Sequence, residues 1–306
     1  MAYMSDLPDE LLHDILVVAC WIDVDLFSDT RSTSRSSNAE TSKANDDGEH
    51  RERANSATTI PLVCRRWLNV STPLIYETII LRTRHQARCL AHTLLNDYTL
   101  GLNIRKLRIE GGMGVPVNKI LHFAPNITDL FVELVGDKEE ENTLGLRLGL
   151  EAINPVRVVL MHRAMPRYNR RVSSLIGELC QFISKWTNLT TLRYPYNRSP
   201  SLSSKDLTAA LEKTPNLHTL YVPCGYSIDT TLLVSLLGKL GDKVKEIYSE
   251  APLVVNDDSR MFLTLEDFAK LRGKVLFPVP GPWAVRPYKI CTRSDGWVDP
   301  PSIVLN

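Results

Sequence analysis

Gly111-Gly-Met-Gly114 is the stretch best placed to hold a phosphate. It follows a strand pattern at 104–109 and precedes a helical pattern, where backbone N–H groups can face an anion. The third glycine of the dinucleotide fingerprint is missing, because position 117 is Val, and no acidic residue ends a following strand in register. A glycine turn leaving a strand is the better reading. His13, His50, His85, His92, His122, His162 and His218 show no His-Glu-x-x-His or comparable ligand spacing. Arg163, Arg167, Arg170 and Arg171 surround Tyr168 in the one basic cluster, which reads as a solvated loop. No Gly-x-Ser-x-Gly occurs. With no catalytic constellation, the expectation is a chain that is not an enzyme and holds neither cofactor nor metal.

Two separated stretches carry the strongest pattern. The first runs Leu7-Pro8-Asp9-Glu10-Leu11-Leu12-His13-Asp14-Ile15-Leu16. Pro8 suits a first helical position, where the missing N–H costs nothing. Asp9 and Glu10 follow, where the positive end of the helix dipole favours carboxylates. Leu7, Leu11, Ile15 and Val18 recur at helical spacing, and Leu12, Leu16 and Ala19 widen the stripe. The second runs Ile60-Pro61-Leu62-Val63-Cys64-Arg65-Arg66-Trp67-Leu68-Asn69-Val70-Ser71. There Leu62, Val63, Trp67 and Val70 are expected to share a face. Ser71-Thr72-Pro73 predicts a third short helix through Tyr76.

Rejoined, the Leu-Pro-x-Glu start, Val-Cys-Arg-Arg-Trp and Thr-Pro-Leu-Ile-Tyr resemble an F-box. That is the helical module by which substrate receptors dock onto the Skp-type adaptor of cullin–RING ubiquitin ligases. The resemblance covers about residues 5–82. It implies an adaptor-binding set of Leu7, Pro8, Glu10, Leu11, Ile15, Leu62, Val63, Cys64 and Trp67. A module this small buries little surface of its own and gains from a partner.

At 306 residues, with 43% hydrophobic residues, the chain has room for one or two packed domains. A net charge of +1 implies no general attraction to nucleic acid or an acidic membrane. Six scattered cysteines without Cys-x-x-Cys argue against a zinc site or a disulfide framework and fit a reducing compartment. The apolar run at 15–22 is too short to span a bilayer and lacks a basic n-region, so no signal peptide is expected. The expected location is cytoplasmic, nuclear or both.

Residues 28–59 contain no Leu, Ile, Val, Met, Tyr, Trp or Phe. Such a stretch cannot offset chain entropy by burial and is expected to be a disordered insertion within the module.

From Thr78 the pattern alternates between periods of two and 3.6. A phrase recurs: Asn103-Ile-Arg-Lys-Leu-Arg-Ile109, Asn126-Ile-Thr-Asp-Leu-Phe-Val132, Asn188-Leu-Thr-Thr-Leu-Arg-Tyr194 and Asn216-Leu-His-Thr-Leu-Tyr-Val222. Weaker copies begin at Pro155 and Lys243. Steps between first apolar positions are 23, 29, 33, 28 and 27 residues, mostly leucine-rich-repeat lengths. Helical patterns fill the gaps. The fold expected is α/β: a three-helix F-box over 1–82, a leucine-rich-repeat-like α/β solenoid over 83–278, and a proline-rich tail or cap over 279–306. A doubly wound α/β domain is the competing reading.

Strand alternation sends the residues between the leucines off the other face. The expected target-binding set is Lys106, Arg108, Asp129, Phe131, Arg193, Tyr221 and Tyr248. The aromatics among them have an alternative place beneath the C-terminal tail.

The functional expectation is a substrate-recognition subunit of a Skp–cullin–F-box ubiquitin ligase, binding adaptor and cullin on one side and an unknown target protein on the other. Nucleic acid and membrane are not expected partners. The alternative is a leucine-rich-repeat interaction scaffold with no ligase association. An α/β enzyme using the Gly111–Gly114 loop is a remote third.

Overall fold

In a computed structural model of the chain, the described residues are 7–20, 59–110, 114–134, 143–161, 170–193, 202–222, 238, 240, 243–249, 275–278 and 285–286. The expectation for 28–59 lies outside them except at Thr59, as does most of the 279–306 tail.

Helix α1 (Asp9–Cys20) begins with two carboxylates in its first turn. A short 3-10 turn (Ile60–Leu62) then leads into α2 (Arg65–Glu77). The third helix expected from Ser71-Thr72-Pro73 does not form separately. Helix α2 runs continuously through Pro73, and Ser71 is buried within it rather than capping a new start. Thr72 Oγ1 donates to the Leu68 carbonyl at 2.6 Å, one turn back, beside the place where proline has no N–H to give.

Glu77 is followed at once by strand β1 (Thr78–Leu81). Strand β1 pairs in parallel with the strand at Lys106–Glu110, so the chain passes from α2 directly into the sheet. The remaining elements alternate: α3 (Arg84–Asn96), β2 (Lys106–Glu110), α4 (Val115–Phe123), β3 (Asp129–Glu133), α5 (Leu144–Gly149), β4 (Arg157–Met161), α6 (Arg170–Ile183), β5 (Thr191–Arg193), α7 (Leu202–Lys213), β6 (Thr219–Val222), β7 (Glu246–Ser249), β8 (Val275–Pro278) and β9 (Val285–Arg286). Helix α3 opens with a complete capping box, Thr83 and Gln86 each bonding the other's backbone N–H.

The architecture is α/β with one sheet whose strand order follows the sequence. Strands β1 to β8 are parallel, and β9 pairs antiparallel with β8. Each strand phrase enters the sheet the same way. One carbonyl ahead of each of β2 to β6 accepts two consecutive N–H groups from the next unit. Arg105 O receives Thr128 and Asp129 at 2.8 and 3.0 Å, and Thr128 O receives Val156 and Arg157 at 2.8 and 2.9 Å. Val156, Thr190 and His218 repeat the arrangement.

The asparagines opening the phrases tie neighbouring units together. Asn126 Nδ2 donates to Leu102 O at 2.9 Å, and Asn216 Nδ2 donates to Thr187 O at 2.7 Å. The first reaches a carbonyl in the 3-10 turn Tyr98–Asn103 ahead of β2, and the second a carbonyl ahead of β5.

One sheet face carries Leu107, Ile109, Leu130, Val132, Val158, Leu160, Leu192, Leu220 and Ile247. It forms a continuous core with Ala87, Ala91 and Leu94 of α3, Val117, Ile120 and Leu121 of α4, and Leu175, Leu179 and Ile183 of α6. Helices α3 to α7 pack successively side by side over that face. Helix α5 was not expected. Its Leu-Gly-Leu-Arg-Leu-Gly sequence is a poor helix former, and close packing on α4 holds it.

Candidate functional site

The residues singled out for chemistry do not converge. Gly114 adopts φ 71° and precedes α4, so it is the glycine turn expected, while positions 111–113 and the arginine cluster at 163–167 lie outside the described residues. His13 neighbours Asp14, and His122 Nδ1 bonds Asn118 O on its own helix. Among the described residues no group of three or more His, Cys, Asp or Glu side chains is placed to hold a metal ion. No helix among them is long and apolar enough to cross a membrane.

Two surfaces remain. On the first, α1 lies against α2. Leu12, Leu16, Cys20 and Ile60 are buried, with Leu7, Trp67, Val70, Leu74 and Ile75 packed round them. This small core leaves large apolar side chains outside: Leu11 is 53% exposed, Ile15 49%, Leu62 81% and Val63 61%. Val18 and Leu68 add to them, and Pro8, Glu10 and Cys64 are exposed beside them.

The shared face expected for Leu62, Val63, Trp67 and Val70 is therefore split. Trp67 and Val70 turn inward, while Leu62 and Val63 sit at the end of the 3-10 turn, facing water. The stripe on α1 also resolves into two. Its Leu12–Leu16 row meets α2, and its Leu11–Ile15–Val18 row does not. Burial lifts the Cys20 thiol's pKa above its ordinary value, whereas Cys64 is open.

The second surface is the sheet face away from the helices. The register sets its side chains in rows. Lys106, Asp129 and Arg157 are cross-strand neighbours of alternating sign, and Arg157 pairs with Asp129 at 2.8 Å. In the adjacent row Arg108 lies 4.1 Å from the centre of the Phe131 ring, and Tyr221 stacks on Tyr248 with centroids 4.7 Å apart and planes 13° from parallel.

Alternation thus put all seven expected residues on this face, but exposure differs along it. Phe131 is 0% exposed and Arg108 3%, so neither is available to a partner as expected. Phe131 forms a small second core with Val159 and Met161. Arg108 Nε donates to Glu110 Oε1 at 2.8 Å. Burial disfavours its charge and lowers its pKa, and the Glu110 carboxylate works against that shift. Arg193, Tyr221 and Tyr248 are half-buried, and Glu246 is exposed. Burial raises the pKa of both tyrosines, and Glu246 pushes the same way while Arg157 and Arg193 oppose it at Tyr221.

Comparison with protein-family models finds no match to this chain, and comparison with curated proteins finds none either.

Proposed function

We propose that the chain is a substrate-recognition subunit of a Skp–cullin–F-box type ubiquitin ligase. Helices α1 and α2 with the intervening 3-10 turn form an F-box that docks the adaptor, and through it a cullin. The strand–helix series is a leucine-rich-repeat-like solenoid that holds a target protein. The chain catalyses nothing itself. It raises the effective concentration of target lysines near the charged conjugating enzyme.

The observation that carries this reading is the apolar row left outside the α1–α2 core. Leu11, Ile15, Leu62 and Val63 are large and exposed around a core of few residues. Exposed apolar side chains clustered on one small module mark an interaction site. The two-bond carbonyl repeated at the heads of β2 to β6 supports the solenoid reading, since it recurs in five successive units. On the sheet face the target surface narrows to Lys106, Asp129, Arg193, Tyr221 and Tyr248.

Affinity purification of the tagged chain, followed by peptide identification, tests the proposal. Adaptor and cullin should be recovered with wild type. They should be lost when Leu62 and Val63 are both changed to Asp, substitutions at exposed positions that leave the fold intact.

A further inference from the structure

We propose that the outer side of the helix layer docks an acidic peptide segment of a partner protein, on a strip made by Arg84, Arg88 and Lys119 with Val115 and Leu148 beside them. The strip lies across the molecule from the open sheet face and stands apart from the ligase reading. Helices α3, α4 and α5 follow one another across this side, and none of them contains an Asp or Glu. Their exposed cations are Arg84, Arg88, Lys119 and Arg147. Arg147 is paired with Glu178 at 3.1 Å, and the neighbouring Arg82 lies 3.7 Å from Glu110. Arg84, Arg88 and Lys119 pair with no carboxylate among the described residues. Asp97 and Glu151 come only after the C-terminal ends of α3 and α5.

The first turns of α3 and α4 lie side by side. Arg84 Nε is 3.8 Å from where a Cβ on Gly114 would stand, and Gly114 is the N-cap of α4. One turn further on, Arg88 and Lys119 reach matching heights on the two helices. A guanidinium over a helix N-terminus sets like against like, because the positive end of the dipole favours carboxylates. Neither helix has an acidic residue in its first turn. A local rule broken without internal compensation marks a functional surface, and the unneutralised cations call for an anionic partner. Val115 is 51% exposed and Leu148 49%. Both border the cations: a Cβ on Gly145 would meet Val115 Cα, and one on Gly149, next to Leu148, would lie 3.2 Å from Asn118 Cα. Apolar side chains among the cations suit a peptide that mixes carboxylates with leucines better than a phosphate backbone. The cations come from two helices, so no basic run in the sequence announces them.

Anisotropy of a fluorescein-labelled peptide of repeated Glu-Glu-Leu, titrated with the full chain at low salt, tests the strip. Wild type should bind it, release it as salt is raised, and ignore a Lys-Lys-Leu counterpart. Arg84→Glu with Arg88→Glu should weaken binding by about tenfold or more, and Lys119→Glu should weaken it independently. Lys213→Glu, an exposed cation on α7, should bind as wild type does. Arg84→Glu should not lower the melting temperature, since a carboxylate then faces the helix N-terminus, so lost binding is separable from misfolding. No binding by wild type, or full binding by the Arg84/Arg88 double variant, overturns the proposal. So does tighter binding to phosphatidylserine vesicles or to single-stranded DNA than to the peptide. Binding that appears only when Glu139, Glu140 and Glu141 are all changed to Gln also overturns it, because the chain's own acidic run would then be the occupant.

Discussion

Arg66 joins the two halves of the N-terminal module: its Nε donates to Asp9 Oδ1 at 2.6 Å across 57 positions of sequence. Its Nη2 reaches the Leu7 carbonyl as well, so one side chain on α2 holds both the first carboxylate of α1 and the chain entering it. Asp9 is largely exposed, which limits the ion pair's worth. Arg66→Ala should lower the urea midpoint by an amount equivalent to about 0.5–1 kcal/mol. It should also weaken adaptor recovery, because the Leu7–Pro8 entry loses its anchor.

Gly145 is a position of close approach. A Cβ built there meets the Gly114 carbonyl and Val115 Cα, backbone atoms that cannot swing aside. Gly145→Ala should destabilise the chain by about 1–3 kcal/mol in denaturant unfolding, through displacement of α5 from α4. An unchanged midpoint would mean that α5 packs elsewhere.

Strands β2 to β7 were legible from sequence because each phrase carries two signals at once, period-two alternation and an opening asparagine or its substitute, whereas β8 and β9 carry no such phrase and were not expected. Helix α5 was not legible. Its two glycines are poor helix formers, and only the tight contact on α4 makes them an advantage. Nor could the sequence choose between the rows of α1. Leu11, Leu12, Ile15 and Leu16 are all apolar, and which pair meets α2 is decided by packing. Alternation placed Phe131 on the correct face of the sheet, but it reports direction and not cover, so its burial was out of reach.

Ser71 is buried with no hydrogen-bond partner for its Oγ. An unpaired buried hydroxyl is a cost, and serine is a poorer helix former than alanine. Ser71→Ala should therefore raise stability, by about 1 kcal/mol, with no change in adaptor recovery. A loss of stability would show that the hydroxyl is satisfied.

Cys180 makes the fold sensitive to alkali. Burial, reinforced by the Asp206 carboxylate, pushes its thiol pKa from 9.0 up to about 12. The folded state thus holds the proton more tightly than the unfolded state does. The resulting stability is fully present below pH 9 and is lost as pH rises toward 12. Melting temperatures between pH 7 and 11 should fall more steeply above pH 9 for wild type than for Cys180→Ala, whatever their difference at pH 7. Parallel curves would show that the thiol is not the group responsible.

The most direct test of the central claim is binding of the purified adaptor to the purified full chain, read by calorimetry. Wild type should bind with one-to-one stoichiometry. Leu11→Asp with Ile15→Asp, and Leu62→Asp with Val63→Asp, should each abolish binding without altering the circular dichroism spectrum. Arg193→Glu and Tyr248→Ala, on the sheet face, should leave adaptor affinity unchanged. No heat of binding with wild type, or full binding by both aspartate pairs, would contradict the account.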